Sequence, residues 1–93
     1  VYIYSYCLNI EETRSEAAHI LRMIQGFNPV LGVWFDMEDA DGYKRNHGLV
    51  PEQNGELLTD FCVEFMQIIK DAGYKTGVYA NYSYFTNASL NAL

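Results

Sequence analysis

Asp36 and Glu38, two carboxylates separated by one residue, close the run LGVWFDMED at residues 31–39. Neighbouring carboxylates discourage each other's ionisation, so one can hold a proton while the other stays charged. That pairing suits glycoside hydrolysis, in which an acid protonates the leaving oxygen and an anion stabilises positive charge at the sugar carbon. The same two residues also fit an acidic cap on a strand end, or a Mg²⁺-type site with Asp39 as a third ligand. D-x-E by itself leaves these readings open.

An element must present the pair, and the run around it reads as a strand. Side chains two apart on a strand share a face. Val33, Phe35 and Met37 therefore point one way, and Trp34, Asp36 and Glu38 the other. In parallel α/β sheets ligands bind beyond the C-terminal ends of the strands, which is where the two carboxylates fall.

Two further strands repeat the pattern. Residues 1–6 (VYIYSY) set Val1 and Ile3 against Tyr2, Tyr4 and Tyr6, and residues 75–81 (KTGVYAN) set Val78 and Ala80 against Gly77, Tyr79 and Asn81. Two helices are predicted between them. The first enters through a capping box of Thr13 and Glu16, carries the stripe Ala17, Ile20, Leu21, Ile24 and Phe27, and ends at Gly26 and Pro29. The second spans 56–72, with Leu57, Leu58, Phe61, Cys62, Phe65, Ile68, Ile69 and Ala72 at spacings of three and four, and stops at Gly73. Residues 39–55 read as a long polar loop walling a cleft beside the carboxylates. Its acidic positions fail EF-hand spacing. Another helix is predicted to begin near Ser89.

The order is β-α-β-α-β, an α/β unit with a parallel sheet. One sheet face is aliphatic and meets the helices. The other is aromatic, hydrogen-bonding and acidic, whereas a sheet covered on both sides is aliphatic on both. The unit therefore reads as the inner wall of a barrel or the floor of a cleft.

Composition narrows the partners. The 93 residues make at most one domain, 49% of them hydrophobic, with twelve acidic residues against six Lys and Arg. A formal charge of −6 excludes nucleic acid and anionic membrane surfaces as expected partners, because phosphate binding needs clustered Lys and Arg. No membrane-length apolar run and no targeting segment is read. Cys7 and Cys62 lack C-x-x-C spacing and a histidine partner, so both read as buried thiols used for packing. His19 lies off its helix stripe and reads as solvated, and His47 falls in the loop. The N-x-S sequons at Asn81 and Asn87 read as incidental. Neither a cofactor nor a metal is expected. Eight Tyr, five Phe and one Trp make up 15% of the chain, and flat rings with polar tips suit sugars as well as cores.

Taken in order, VYIYSYCLN, EAAHIL, LGVWFDMED and AGYKTGVYANYSYF resemble the middle of the family 25 glycoside hydrolases, the muramidases that cut peptidoglycan. The likeness covers essentially the whole chain. It implies strands three to five of a TIM-like (β/α) barrel, with residues 1–93 as part of a catalytic domain. Glu38 would be the general acid and Asp36 its partner at the anomeric centre, with Tyr6, Tyr79 and Asn81 close to the sugar and Tyr4 and Trp34 on the same wall. The bond cut would be the β-1,4 link between N-acetylmuramic acid and N-acetylglucosamine, in an extracellular or cell-wall setting. The family's opening strand and final strands, which bear further carboxylates, have no counterpart here. The chain is thus expected to be a fragment, inactive or weakly active alone, that self-associates through its uncovered edges or folds marginally. Two other readings are a noncatalytic glycan-binding module and a small metal-dependent hydrolase.

Overall fold

The computed structural model describes residues 1–26 and 32–81 together with Tyr84 and Thr86. The elements run β1 (Tyr2–Tyr4), α1 (Ile10–Met23), β2 (Val33–Asp36), α2 (Tyr43–Asn46), α3 (Pro51–Asp71) and β3 (Thr76–Tyr79). The three strands form one parallel sheet in the order β1-β2-β3. Sequential order, without the reversal of a doubly wound sheet, keeps α1 and α3 on one face, where they pack on each other. The expected α/β class and element order hold.

Strand parity holds as well. Val33, Phe35 and Met37 are completely buried, in a core that also takes Ala17 and Ile20 from α1 and Leu58, Phe61, Phe65 and Ile69 from α3. Phe35 stacks on Phe65 with ring centroids 4.3 Å apart. On the opposite face only the single turn α2 arrives among the described residues, against Tyr4 and Tyr6, while Tyr2, Trp34 and Tyr79 stay exposed. Burial of one face alone pins the register, since a one-residue slip would exchange core and solvent sets.

Both helices begin earlier than the sequence predicts. α1 is capped by Asn9, whose side chain accepts the Glu12 amide at 2.8 Å, while Glu12 reaches back to accept the Leu8 amide at 2.8 Å. Thr13, the predicted cap, is buried inside the helix and donates its hydroxyl to the Asn9 carbonyl at 3.2 Å. Starting at Ile10 lets that residue pack against the core, which a helix beginning at Thr13 would leave out. Glu16 is freed to accept from the Ser5 hydroxyl and the Tyr6 amide.

The segment 39–55 is not one loop. It contains the single turn α2, and α3 starts at Pro51 in the N1 position, where the missing amide has no partner to lose. Asn54 leaves helical geometry (φ −120°, ψ 26°) and its side chain accepts the Val50 amide, so the entry is kinked. Asn54 and Gly55 made this entry look like loop. At the far end Ala72 is an exposed cap outside the apolar stripe, and Gly73 takes the expected positive φ of 93°. Leu57 is also exposed. Phe27, Pro29, Leu31 and the helix expected near Ser89 lie outside the described residues.

Candidate active site

β2 ends at Asp36, and the Met37 amide makes one more sheet bond, to the Tyr79 carbonyl at 2.7 Å. Glu38 therefore stands just beyond the strand. Register places Asp36 between Tyr4 of β1 and Tyr79 of β3, one row above Tyr2, Trp34 and Gly77. A depression of about 580 Å³ opens over these rows, lined by Val1, Tyr2, Trp34, Asp36, Glu38 and Tyr79. Its size is that of a small-molecule site.

Gly77 shapes the floor. A Cβ at that position would come within 2.5 Å of the Trp34 ring, so the indole occupies the space that any larger residue on β3 would fill. One flat aromatic wall results.

Of the residues singled out from sequence, Asp36, Glu38, Trp34 and Tyr79 meet at this depression. Tyr4, Tyr6 and Asn81 do not line it. The Tyr4 oxygen accepts the Ala40 amide at 2.9 Å, and the Tyr6 hydroxyl donates to Asp41 at 2.9 Å while its ring meets the edge of Tyr43. These phenols share the expected face, but the chain after β2 folds over them. Asn81 turns its side-chain oxygen to the Tyr84 amide at 3.0 Å. Tyr2, on the expected aromatic face, completes the rim with Val1, which was expected on the helix-facing set but precedes β1, where strand parity no longer holds it, and is exposed at the mouth of the depression.

Asp36 is 5% exposed, and its Oδ1 has no hydrogen-bond partner among the described residues. Its pKa is pushed up to about 6, first by burial, then by the charge on Glu38 and a hydrogen bond between the two carboxyls, with Lys44 opposing the rise. Below pH 6 the buried member of the pair holds a proton. The thiols are held in the opposite regime from nucleophiles: burial raises Cys7, and pushes Cys62 up to about 12. Among the described residues no cluster of three or more His, Cys, Asp or Glu is placed to hold a metal ion. Asp39, the third ligand a metal site would need, gives its two oxygens to the Lys44 and Arg45 amides.

Lys44 is the residue that sequence reasoning missed. It was part of a polar loop, yet it is completely buried, with its ammonium on the Ser5 and Glu38 carbonyls. No local pattern marks it.

The raised Asp36 pKa has a consequence for stability. The unfolded carboxyl ionises near its ordinary value of 3.8 and the native one near 6, so between these values the native state binds more protons. Stability then falls as pH rises across that window and levels off above it. Asp36→Asn, which cannot ionise, is expected to be more stable than wild type at pH 7 by about 1–3 kcal/mol, with the difference shrinking towards pH 3.5. Urea denaturation at the two pH values measures it. Equal stability at pH 7 would mean that the Asp36 carboxylate is not desolvated.

No protein-family model matches the sequence, nor does any curated protein. Among solved structures, the modular autolysin LytC from Streptococcus pneumoniae matches with a TM-score of 0.78 at 22% identity, over 95% of this chain and 21% of that one. The likeness shows a shared fold, and the chain spans about a fifth of that protein's length.

Proposed function

We propose that this chain carries the acid pair of a peptidoglycan-cleaving glycosidase of the family 25 type, and that the bond cut is the β-1,4 link between N-acetylmuramic acid and N-acetylglucosamine. The observation that carries the reading is the carboxyl pair Asp36–Glu38 at the C-terminal end of the central strand, both lining an open aromatic depression and close enough for the charge on Glu38 to raise the Asp36 pKa. The structural neighbour, an autolysin, agrees with it. In this reading residues 1–93 are three consecutive strands of a larger barrel, and the remaining strands complete the cleft.

The pair divides the work by exposure. Asp36, buried, stores the proton, and Glu38, half-buried and lining the depression, is the carboxyl that a glycosidic oxygen can reach. Passing that proton to the neighbouring carboxyl gives a protonated Glu38 facing the leaving oxygen and an anionic Asp36 behind it, which stabilises the positive charge developing at the sugar carbon. Trp34 and Tyr79 offer flat faces to the sugar ring. Tyr4 and Tyr6 act one layer back, holding the segment after β2 in place. The metal-hydrolase reading has less support, since Asp39 is turned away into α2.

The test is product analysis with the intact protein and purified peptidoglycan. Borohydride reduction and mass spectrometry are expected to find muropeptides with N-acetylmuramic acid at the reducing end, at a yield unaffected by a chelator. Reducing-end N-acetylglucosamine would overturn the bond assignment. Tight binding with no release would favour a glycan-binding module, and loss of release on chelation a metal-dependent hydrolase.

A further inference from the structure

Lys44 is placed where a lysine is expensive. An ammonium taken out of water must be repaid by close hydrogen bonds, and most loop lysines stay solvated. Here the surroundings supply the bonds. Nζ donates to the Ser5 carbonyl at the end of β1 and to the Glu38 carbonyl at 2.6 Å, and it lies 5.3 Å and 5.9 Å from the ring centroids of Tyr4 and Tyr6. Those carbonyls lie where the sheet ladder has run out.

Several groups hold this arrangement. Asp39 accepts the Lys44 amide at 2.8 Å and the Arg45 amide at 3.0 Å, so the residue next to Glu38 dictates where the lysine stem enters. Asp41 accepts the Tyr43 amide and the Tyr6 hydroxyl. From the helix layer, Glu16 accepts the Ser5 hydroxyl at 2.8 Å and the Tyr6 amide at 2.7 Å. β1 is therefore clamped from below by Glu16 and tied across to β2 from above by Lys44. The last sheet bond of the β2 segment is made at Met37, and Glu38 is tied down by the ammonium on its carbonyl.

We infer that Lys44 is a positioning residue for the acid pair: it fixes the main chain on which the Glu38 carboxyl stands and lays a positive charge behind Asp36 and Glu38. The assignment of catalytic roles to that pair rests on the glycosidase reading, whereas the placement of Lys44 does not. A 1 Å drift of the Glu38 carboxyl would break the alignment that proton transfer requires. Among the described residues the charge acts on a pair faced by few other groups. Asp36 meets Glu38 along its own segment, the phenols of Tyr4 and Tyr79 in register, and Lys44 from α2. Lys44 in turn feels Asp39, Cys7, Glu16 and Asp41.

Lys44→Met, similar in length but without charge or donors, and Lys44→Arg, which keeps both, test the inference in the intact protein labelled with carbon-13. In folded Lys44→Met the Asp36 carboxyl titration is expected to move upward by about half a pH unit or more, and to stay near the wild-type midpoint in Lys44→Arg. On peptidoglycan, kcat of Lys44→Met is expected to fall about tenfold or more with KM within about twofold. A lowered Tm with the Asp36 midpoint and kcat unchanged is the signature of a purely structural lysine and overturns the inference. If wild type shows no hydrolysis, the glycosidase reading fails while the titrations still judge Lys44. Should Lys44→Met not fold, the wild-type lysine in nitrogen-15-labelled protein decides: its ammonium protons are expected to be protected from exchange and its nitrogen resonance to shift in step with the Asp36 carboxyl. An unprotected signal that ignores Asp36 overturns the placement.

Discussion

Glu38→Gln is expected to lower peptidoglycan hydrolysis by the intact protein about 10²–10⁴-fold while binding to the glycan stays within a few-fold of wild type. Glutamine keeps the size and polarity of the side chain, but has no acidic proton to give to a leaving oxygen. The loss corresponds to about 3–5 kcal/mol of transition-state stabilisation. Turnover assays at saturating substrate, paired with co-sedimentation on insoluble peptidoglycan, separate chemistry from binding. Activity retained within tenfold would move the acid to another residue, and a parallel loss of binding would show that Glu38 acts mainly in holding the sugar.

Phe65→Ala is expected to destabilise the fold by about 3–5 kcal/mol. Phe65 is completely buried and stacks on Phe35 at 4.3 Å with the planes 25° apart. Removing the ring leaves a cavity beneath the central strand, at the residue that precedes Asp36. A small domain has about 5–15 kcal/mol in total, so the variant gives up a large share of it. Urea unfolding at pH 5, followed by circular dichroism, measures the change. A loss under about 1 kcal/mol would mean that the α3–sheet contact closes over the gap and that the floor of the site does not rest on this stack.

Parts of this arrangement can be read from neighbouring residues alone. Alternation across Val33, Trp34, Phe35 and Asp36 assigns faces because a strand has a period of two, set by covalent geometry. The spacing of Phe61, Cys62, Phe65 and Ile69 assigns a buried helix stripe by the same kind of local rule. Helix ends are less legible, because several residues compete to cap them. Thr13 and Glu16 match a capping box as well as Asn9 and Glu12 do, and only the packing of Ile10 and the pull of Ser5 and Tyr6 on Glu16 choose between them.

The sequence by itself thus determined the element order, the acidic and aromatic face, and the placing of Asp36 and Glu38 at a strand end. Tertiary structure alone decided which members of that face reach the depression. Tyr4 and Tyr6 are withdrawn from it by Ala40 and Asp41, partners 36 and 35 residues away, and Lys44 is drawn inside by Ser5, 39 residues away. The same holds for the proton on Asp36, which depends on burial and on Glu38 and Lys44 together. Periodicity specifies the side to which a residue points, a property of its own backbone. What stands opposite it, and how much water is left there, depends on where distant segments come to rest.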